Sequence, residues 1–209
     1  MMIKRTSSEI ALSLWKQYPI LTITGPRQSG KTTLAKALFK ECKYVNLEAP
    51  DKRAAFYADP RAFLKRYAAP TIFDEIQNVP ELVSYLQEIV DEQDTPSQFV
   101  LTGSHQPALQ ATITQSLAGR TALLELLPLS IEELEDAGLQ MERDELLLKG
   151  FMPRLYQSQM NATHLYANYF KTYVERDIRQ LINLKNLHAF ELFLRLLAGR
   201  VGQVLNLQS

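Results

Sequence analysis

Nine consecutive residues, Gly25-Pro26-Arg27-Gln28-Ser29-Gly30-Lys31-Thr32-Thr33, carry the densest chemical signal in the chain. The first eight fit the phosphate-loop pattern G-x-x-x-x-G-K-[ST] without a gap. Glycines let successive backbone N–H groups curl around an anion, and a helix that starts at the end of the loop adds the partial positive charge of its N-terminus. On this reading Lys31 reaches the β and γ phosphates of a nucleotide, and the Thr32 hydroxyl is a ligand to Mg²⁺. The alternative is a glycine-rich turn with an incidental lysine. It is disfavoured because an apolar run over 20–24 leads into the loop and a helical pattern over 32–41 leads out.

Phosphate chemistry of this kind needs a carboxylate at the end of a neighbouring strand. Ile72-Phe73-Asp74-Glu75 offers two. Consecutive side chains at a strand end point to opposite sides, so Asp74 can hold the metal while Glu75 polarises an attacking water. A third apolar run ends in Thr102-Gly103-Ser104, where Ser104, with Thr102 as second choice, either contacts the γ-phosphate or caps the following helix. Arg120 precedes the last apolar run. It either reaches a phosphate of its own or of a neighbouring copy's site, or makes a surface salt bridge. His105 reads as a surface histidine, Arg27 as solvent-facing, and Trp15 and Tyr18 as packing residues.

The elements that would position these groups alternate. Strand-like runs at 20–24, 44–47, 71–74, 99–102 and 121–126 are separated by helical patterns at 7–17, 32–41, 51–67 (with a break at Pro60), 81–93 and 107–117. That alternation predicts an α/β fold, a parallel sheet covered by helices on both faces. Beyond about residue 127 only helical patterns follow, at 131–137, 143–149, 163–184 and 187–198. Ser130 and Glu133 are spaced as a capping box. Residues 1–127 are therefore expected to form the nucleotide-binding core and 128–209 a helical extension.

With 209 residues, 46% of them hydrophobic and 22% charged, the chain has the composition of a globular protein rather than a disordered one. Lysine plus arginine and aspartate plus glutamate number 23 each, which argues against a general electrostatic attraction to nucleic acid or a membrane. The charges are nonetheless sorted. Residues 1–43 hold eight basic side chains against Glu9 and Glu41, and residues 132–145 hold seven acidic ones against Arg143. The acidic run reads as a solvated face. The single cysteine, Cys42, excludes an internal disulfide. No apolar run approaches the roughly 18–20 residues of a membrane span, and a cytoplasmic location is expected.

The ordered strings GPRQSGKTTL, NLEAPDKR, FDEIQ, LTGS, SLAGR and LPLSIEE resemble prokaryotic AAA+ type ATPases that carry a C-terminal domain of unknown function. Gly150-Phe151-Met152-Pro153 and residues 169–181, with Tyr173, Glu175, Arg176, Asp177 and Ile178, resemble the junction and the start of that trailing domain. The resemblance implies an ASCE-type P-loop core with strand order 5-1-4-3-2 that binds ATP or ADP with Mg²⁺. It places Gly25 to Thr33 at the nucleotide, Thr32 and Asp74 at the metal, and Lys31, Glu75, Ser104 and Arg120 in catalytic positions. Relatives of this type continue through a winged-helix-like segment, whereas this sequence stops at Leu205-Asn206-Leu207-Gln208-Ser209, so the tail is expected to be the truncated start of that domain.

Three functions follow as expectations. One is ATP hydrolysis coupled to movement of the helical tail, and another is a nucleotide-gated interaction module with slow turnover. The third is a DNA-binding regulator using Lys171, Arg176, Arg179, Lys185, Arg195 and Arg200. Homo-oligomers and a protein or DNA partner for the tail remain open, and no membrane partner is expected.

Overall fold

The computed structural model describes residues 3–93, 95–104, 107–158, 160–173 and 187–204. It divides into two compact units, residues 1–159 and 160–209. In the first, five strands form a single parallel sheet: β1 (Ile20–Gly25), β2 (Lys43–Asn46), β3 (Thr71–Asp74), β4 (Phe99–Ser104) and β5 (Thr121–Glu125). Their order across the sheet is β2-β3-β4-β1-β5, which is the 5-1-4-3-2 order that the resemblance implies.

Side chains alternate between the two faces of each strand, and the two cores follow that alternation. Ile20, Phe73, Phe99 and Leu101 point to one face. There they meet Phe56 of α3 (Pro50–Ala58), Phe63 of α4 (Pro60–Arg66), Leu82, Val83, Leu86 and Val90 of α5 (Leu82–Gln93), and Ile113 of α6 (Pro107–Ser116). Leu21, Ile23, Ile72, Val100, Ala122 and Leu124 point to the other face, against Ala11 of α1 (Ser7–Trp15) and Leu34 and Ala35 of α2 (Lys31–Leu38). The helices sit on both faces, as the nearly continuous apolar strands require.

The expected break at Pro60 separates α3 from α4. Asp59 accepts a hydrogen bond from the Ala62 N–H at 2.9 Å as the N-cap of α4. Helix α2 stops at Leu38, three residues short of the sequence expectation. Phe39 leaves the helical conformation so that its ring can bury against Trp15, with 5.0 Å between centroids. A 3-10 turn at Ile76–Asn78 follows β3, and a four-residue helix, α9 (Arg154–Gln157), follows the segment at Pro153; neither shows in the hydropathy pattern.

After β5 the chain makes α7 (Ile131–Asp136) and α8 (Arg143–Lys149). The Ser130–Glu133 capping box forms as expected. Ile3, Leu129 and Leu134 bury a small third cluster with Leu139, Met141, Leu146, Phe151 and Tyr156. In the second unit, α10 (Ala162–Tyr173) and α11 (Leu187–Ala198) are helical, and α11 exposes Leu192, Phe193 and Leu196. The remainder of the expected 163–184 helix, most of the string at 169–181 that resembles the start of the trailing domain, and the last five residues lie outside the described residues.

Phe73 is fully buried at the centre of the larger core, between Phe63 and Phe99. Truncating it leaves a cavity that rigid strands cannot collapse. Phe73→Ala is expected to cost about 3–5 kcal/mol, read as a lower urea midpoint with an unchanged slope.

Candidate functional site

The site is built where β1, β3 and β4 end on the same edge of the sheet. The main chain turns at Gly25, whose φ is +145° and where a Cβ would lie 2.2 Å from the Leu126 carbonyl oxygen. No other residue type fits that approach. The loop then passes through Gln28 at φ +63° and Gly30 at φ +96°, and α2 begins at Lys31. Along the loop, Pro26, Arg27 and Gly30 are half-buried, Ser29 is buried, and Gln28 and Thr33 are exposed.

The Lys31 ammonium folds back over this loop and donates to the carbonyls of Gly25 at 3.0 Å and Pro26 at 2.8 Å. Burial lowers its pKa from the usual lysine value, against the opposing pull of Glu75 and Asp74, while Arg27 adds to the lowering. A buried ammonium held by two loop carbonyls is poised for stronger acceptors, and phosphate oxygens are such acceptors.

Asp74 is the hub of the site. It is buried, and hydroxyls from three separate elements donate to it: Thr32 of α2 at 3.0 Å to each oxygen, Tyr44 of β2 at 2.7 Å, and Thr102 of β4. Glu75 follows in the left-handed region, φ +60° and ψ +48°, which a non-glycine residue adopts only under constraint. Its carboxylate accepts from the Gln77 amide, and its carbonyl accepts from the Asn78 N–H at 3.0 Å. Ser104 stands opposite Gly25 in the β1–β4 register, at the mouth of the loop. Among the described residues, Ser29 Oγ, Ser104 Oγ and Gln77 Oε1 are buried with no hydrogen-bond partner, as are Ser7 Oγ and Gln98 Oε1 outside the loop and strand tips.

A family model described as "AAA domain" matches residues 17–135. The chain belongs to this AAA family. A second model, a domain of unknown function (DUF8612), matches residues 140–209. Two curated relatives, uncharacterized proteins of Mycobacterium bovis and Mycobacterium tuberculosis, are each 32% identical over 166 residues. The match takes in 78% of this chain and only 37% of theirs. Among solved structures, a Walker-type ATPase of Pyrococcus abyssi superposes with a TM-score of 0.55 at 15% identity, covering 86% of this chain and 75% of that one, a likeness of fold.

In this AAA fold most of the sequence candidates converge: the loop, Lys31, Thr32, Asp74, Glu75, Ser104 and Thr102 share one edge. Arg120 does not. The Ile20 N–H donates to the Arg120 carbonyl at 3.2 Å, which places Arg120 at the start of the six-residue strand whose far end carries the loop. That separation is about 17 Å along the strand. The guanidinium pairs with Asp91 instead, Nη2 to Oδ2 at 2.8 Å. Arg120 therefore forms the surface salt bridge, and the expectation that it reaches a phosphate of its own site is corrected. His105 lies outside the described residues.

Two contributors escaped the sequence reading. Tyr44 is one, because nothing in a short edge strand marks its hydroxyl as the partner of a distant carboxylate. Arg5 is the other. Its Nη1 donates to the Ser29 carbonyl at 2.8 Å, on the back of the phosphate loop.

The described residues contain no group of three or more His, Cys, Asp or Glu side chains arranged for a metal. Thr32 and Asp74 nevertheless suit Mg²⁺, which is usually held by one or two protein oxygens, with waters and nucleotide phosphates completing the shell. No described helix is long and apolar enough to cross a membrane.

Burial, then the hydrogen bond to Asp74 and the nearby carboxylates, raises the Tyr44 hydroxyl well above its ordinary value near 10. A raised native pKa stabilises the fold fully below about pH 10, and the gain is lost as pH climbs through the raised value. Urea midpoints measured from about pH 8 to 11 should show the stability gap between the native protein and Tyr44→Phe holding steady to about pH 10. Above that pH, ionisation of the unfolded tyrosine alone should begin to narrow the gap.

Proposed function

We propose that this chain is a magnesium-dependent ATPase whose nucleotide cycle is read by the helical region that follows the sheet. The observation that carries the proposal is the convergence of Lys31, Thr32, Asp74, Glu75 and Ser104 on one edge, with buried polar atoms of the loop and of the β4 tip left without partners. Backbone N–H groups of residues 27–32 would receive the β-phosphate, and Lys31 would exchange two carbonyl acceptors for phosphate oxygens. Thr32 and Asp74 would hold the magnesium, which when bound neutralises charge on the β and γ oxygens. Glu75 would orient the attacking water and accept its proton, and the Ser104 hydroxyl would donate to the γ-phosphate. The nucleotide chemistry is assigned to residues 1–127 and the response to 128–209.

A slow, nucleotide-gated binding module is the second reading. It is favoured by one contact, the Gln77 amide on the Glu75 carboxylate, which occupies the base that hydrolysis needs.

Phosphate release and calorimetry together test both readings. Lys31→Ala should abolish binding of MgATP. Glu75→Gln should keep binding and lower release by roughly 10²-fold or more, and chelating the magnesium should stop release. Release unchanged by either substitution would refute hydrolysis at this site. Tight binding with negligible release in the native protein would favour the gated module.

A further inference from the structure

The back of the phosphate loop is held by a residue from the extreme N-terminus. Backbone N–H groups that face a phosphate leave their carbonyls facing away, and those carbonyls need donors. At Ser29 the donor is Arg5 Nη1, at 2.8 Å. Because the Ser29–Gly30 peptide is planar, fixing the Ser29 carbonyl on one side aims the Gly30 N–H to the other. The rest of the guanidinium is equally committed. Nη2 donates to the carbonyls of Leu127 at 2.6 Å and Pro128 at 3.1 Å, and Nε donates to both oxygens of Glu133 at 3.0 Å.

This arginine is a buried charge, and its counterion is buried as well. Glu133 also accepts from the Thr6 N–H at 2.8 Å, the Thr6 hydroxyl at 3.1 Å and the Ser130 N–H at 3.1 Å. Burial alone would raise its pKa, but the N–H groups of Thr6 and Ser130, together with Arg5, outweigh burial and hold the carboxyl below the usual glutamate value. A buried charge pair of this kind contributes specificity of arrangement more than net stability. One planar fork thus spans the loop, the chain leaving β5 and the capping box of α7. A lysine, a single point charge, cannot span all three.

We propose that Arg5 is a positioning residue of the nucleotide site. It holds the Ser29–Gly30 peptide in its phosphate-binding orientation and ties that orientation, through Glu133, to the start of the helical region after β5. The proposal rests on the reading that the loop binds nucleotide. Neither Arg5 nor Glu133 is assigned a contact with nucleotide, so their effect on affinity must come through the loop.

The test is calorimetry with MgATP on the full chain and on Arg5→Lys, Glu133→Gln and the double variant, with thermal unfolding of each without nucleotide. Val90→Ala, at a buried position near the end of α5, serves as a control that is destabilised away from the site. Arg5→Lys should weaken MgATP binding about tenfold, the size of losing one hydrogen bond to a charged group. Glu133→Gln should weaken it several-fold, and the double variant by less than the product of the two. Val90→Ala should lower the unfolding temperature without changing the Kd. Wild-type Kd values in both Arg5→Lys and Glu133→Gln would overturn the proposal. If Arg5→Lys does not fold, an unchanged Kd in Glu133→Gln overturns it alone. Failure of the native chain itself to bind MgATP would instead overturn the nucleotide-site reading, and this proposal with it.

Discussion

A single buried carboxylate organises the functional edge of this protein. Asp74 receives hydroxyl hydrogen bonds from α2, β2 and β4, so the helix that follows the phosphate loop and the two strands flanking β3 are fastened to one point. A carboxylate away from water is tolerated only when its lone pairs are filled, and here donors on three elements fill them. The same three attachments fix where Thr32 can stand, and with it the start of α2 and the side from which the loop is entered.

The rest of the site follows from that constraint. Placing β4 between β1 and β3 in a parallel sheet brings three strand ends to one edge, and such edges are where ligands of open α/β sheets bind. Lys31 lies over the loop, held by two carbonyls. Glu75, held in a left-handed conformation one residue after the hub, is separated from Asp74 in direction as well as in sequence. Two neighbouring carboxylates can then take different roles because the backbone between them is bent.

What the sequence disclosed and what it hid divide along contact distance in the chain. The phosphate loop is contiguous, and its residue types are dictated by backbone approach, as at Gly25 against the Leu126 carbonyl; it is therefore legible. Strands β1, β3 and β4 are legible because they are buried along their whole length on both faces, and the capping box because it spans three residues. Arg5 and Glu133 are 128 residues apart, and no local pattern links them. Tyr44 and Asp74 are 30 apart and look ordinary until β2 and β3 pair. Arg120 misled for a related reason. The family resemblance set it among the catalytic positions, but parallel strands put the start of β5 at the edge opposite the loop. The end of α2 shifted because burying the Phe39 ring won over continuing a helical turn.

The central claim is that the loop of residues 25–32 is a nucleotide phosphate site poised around Asp74 and Lys31. A crystal structure with magnesium and a non-hydrolysable ATP analogue tests it most directly. In that complex the Lys31 ammonium should leave the Gly25 and Pro26 carbonyls for phosphate oxygens, and Ser104 Oγ should gain a phosphate partner. An analogue bound elsewhere, or bound here with Lys31 still on those two carbonyls, would contradict it.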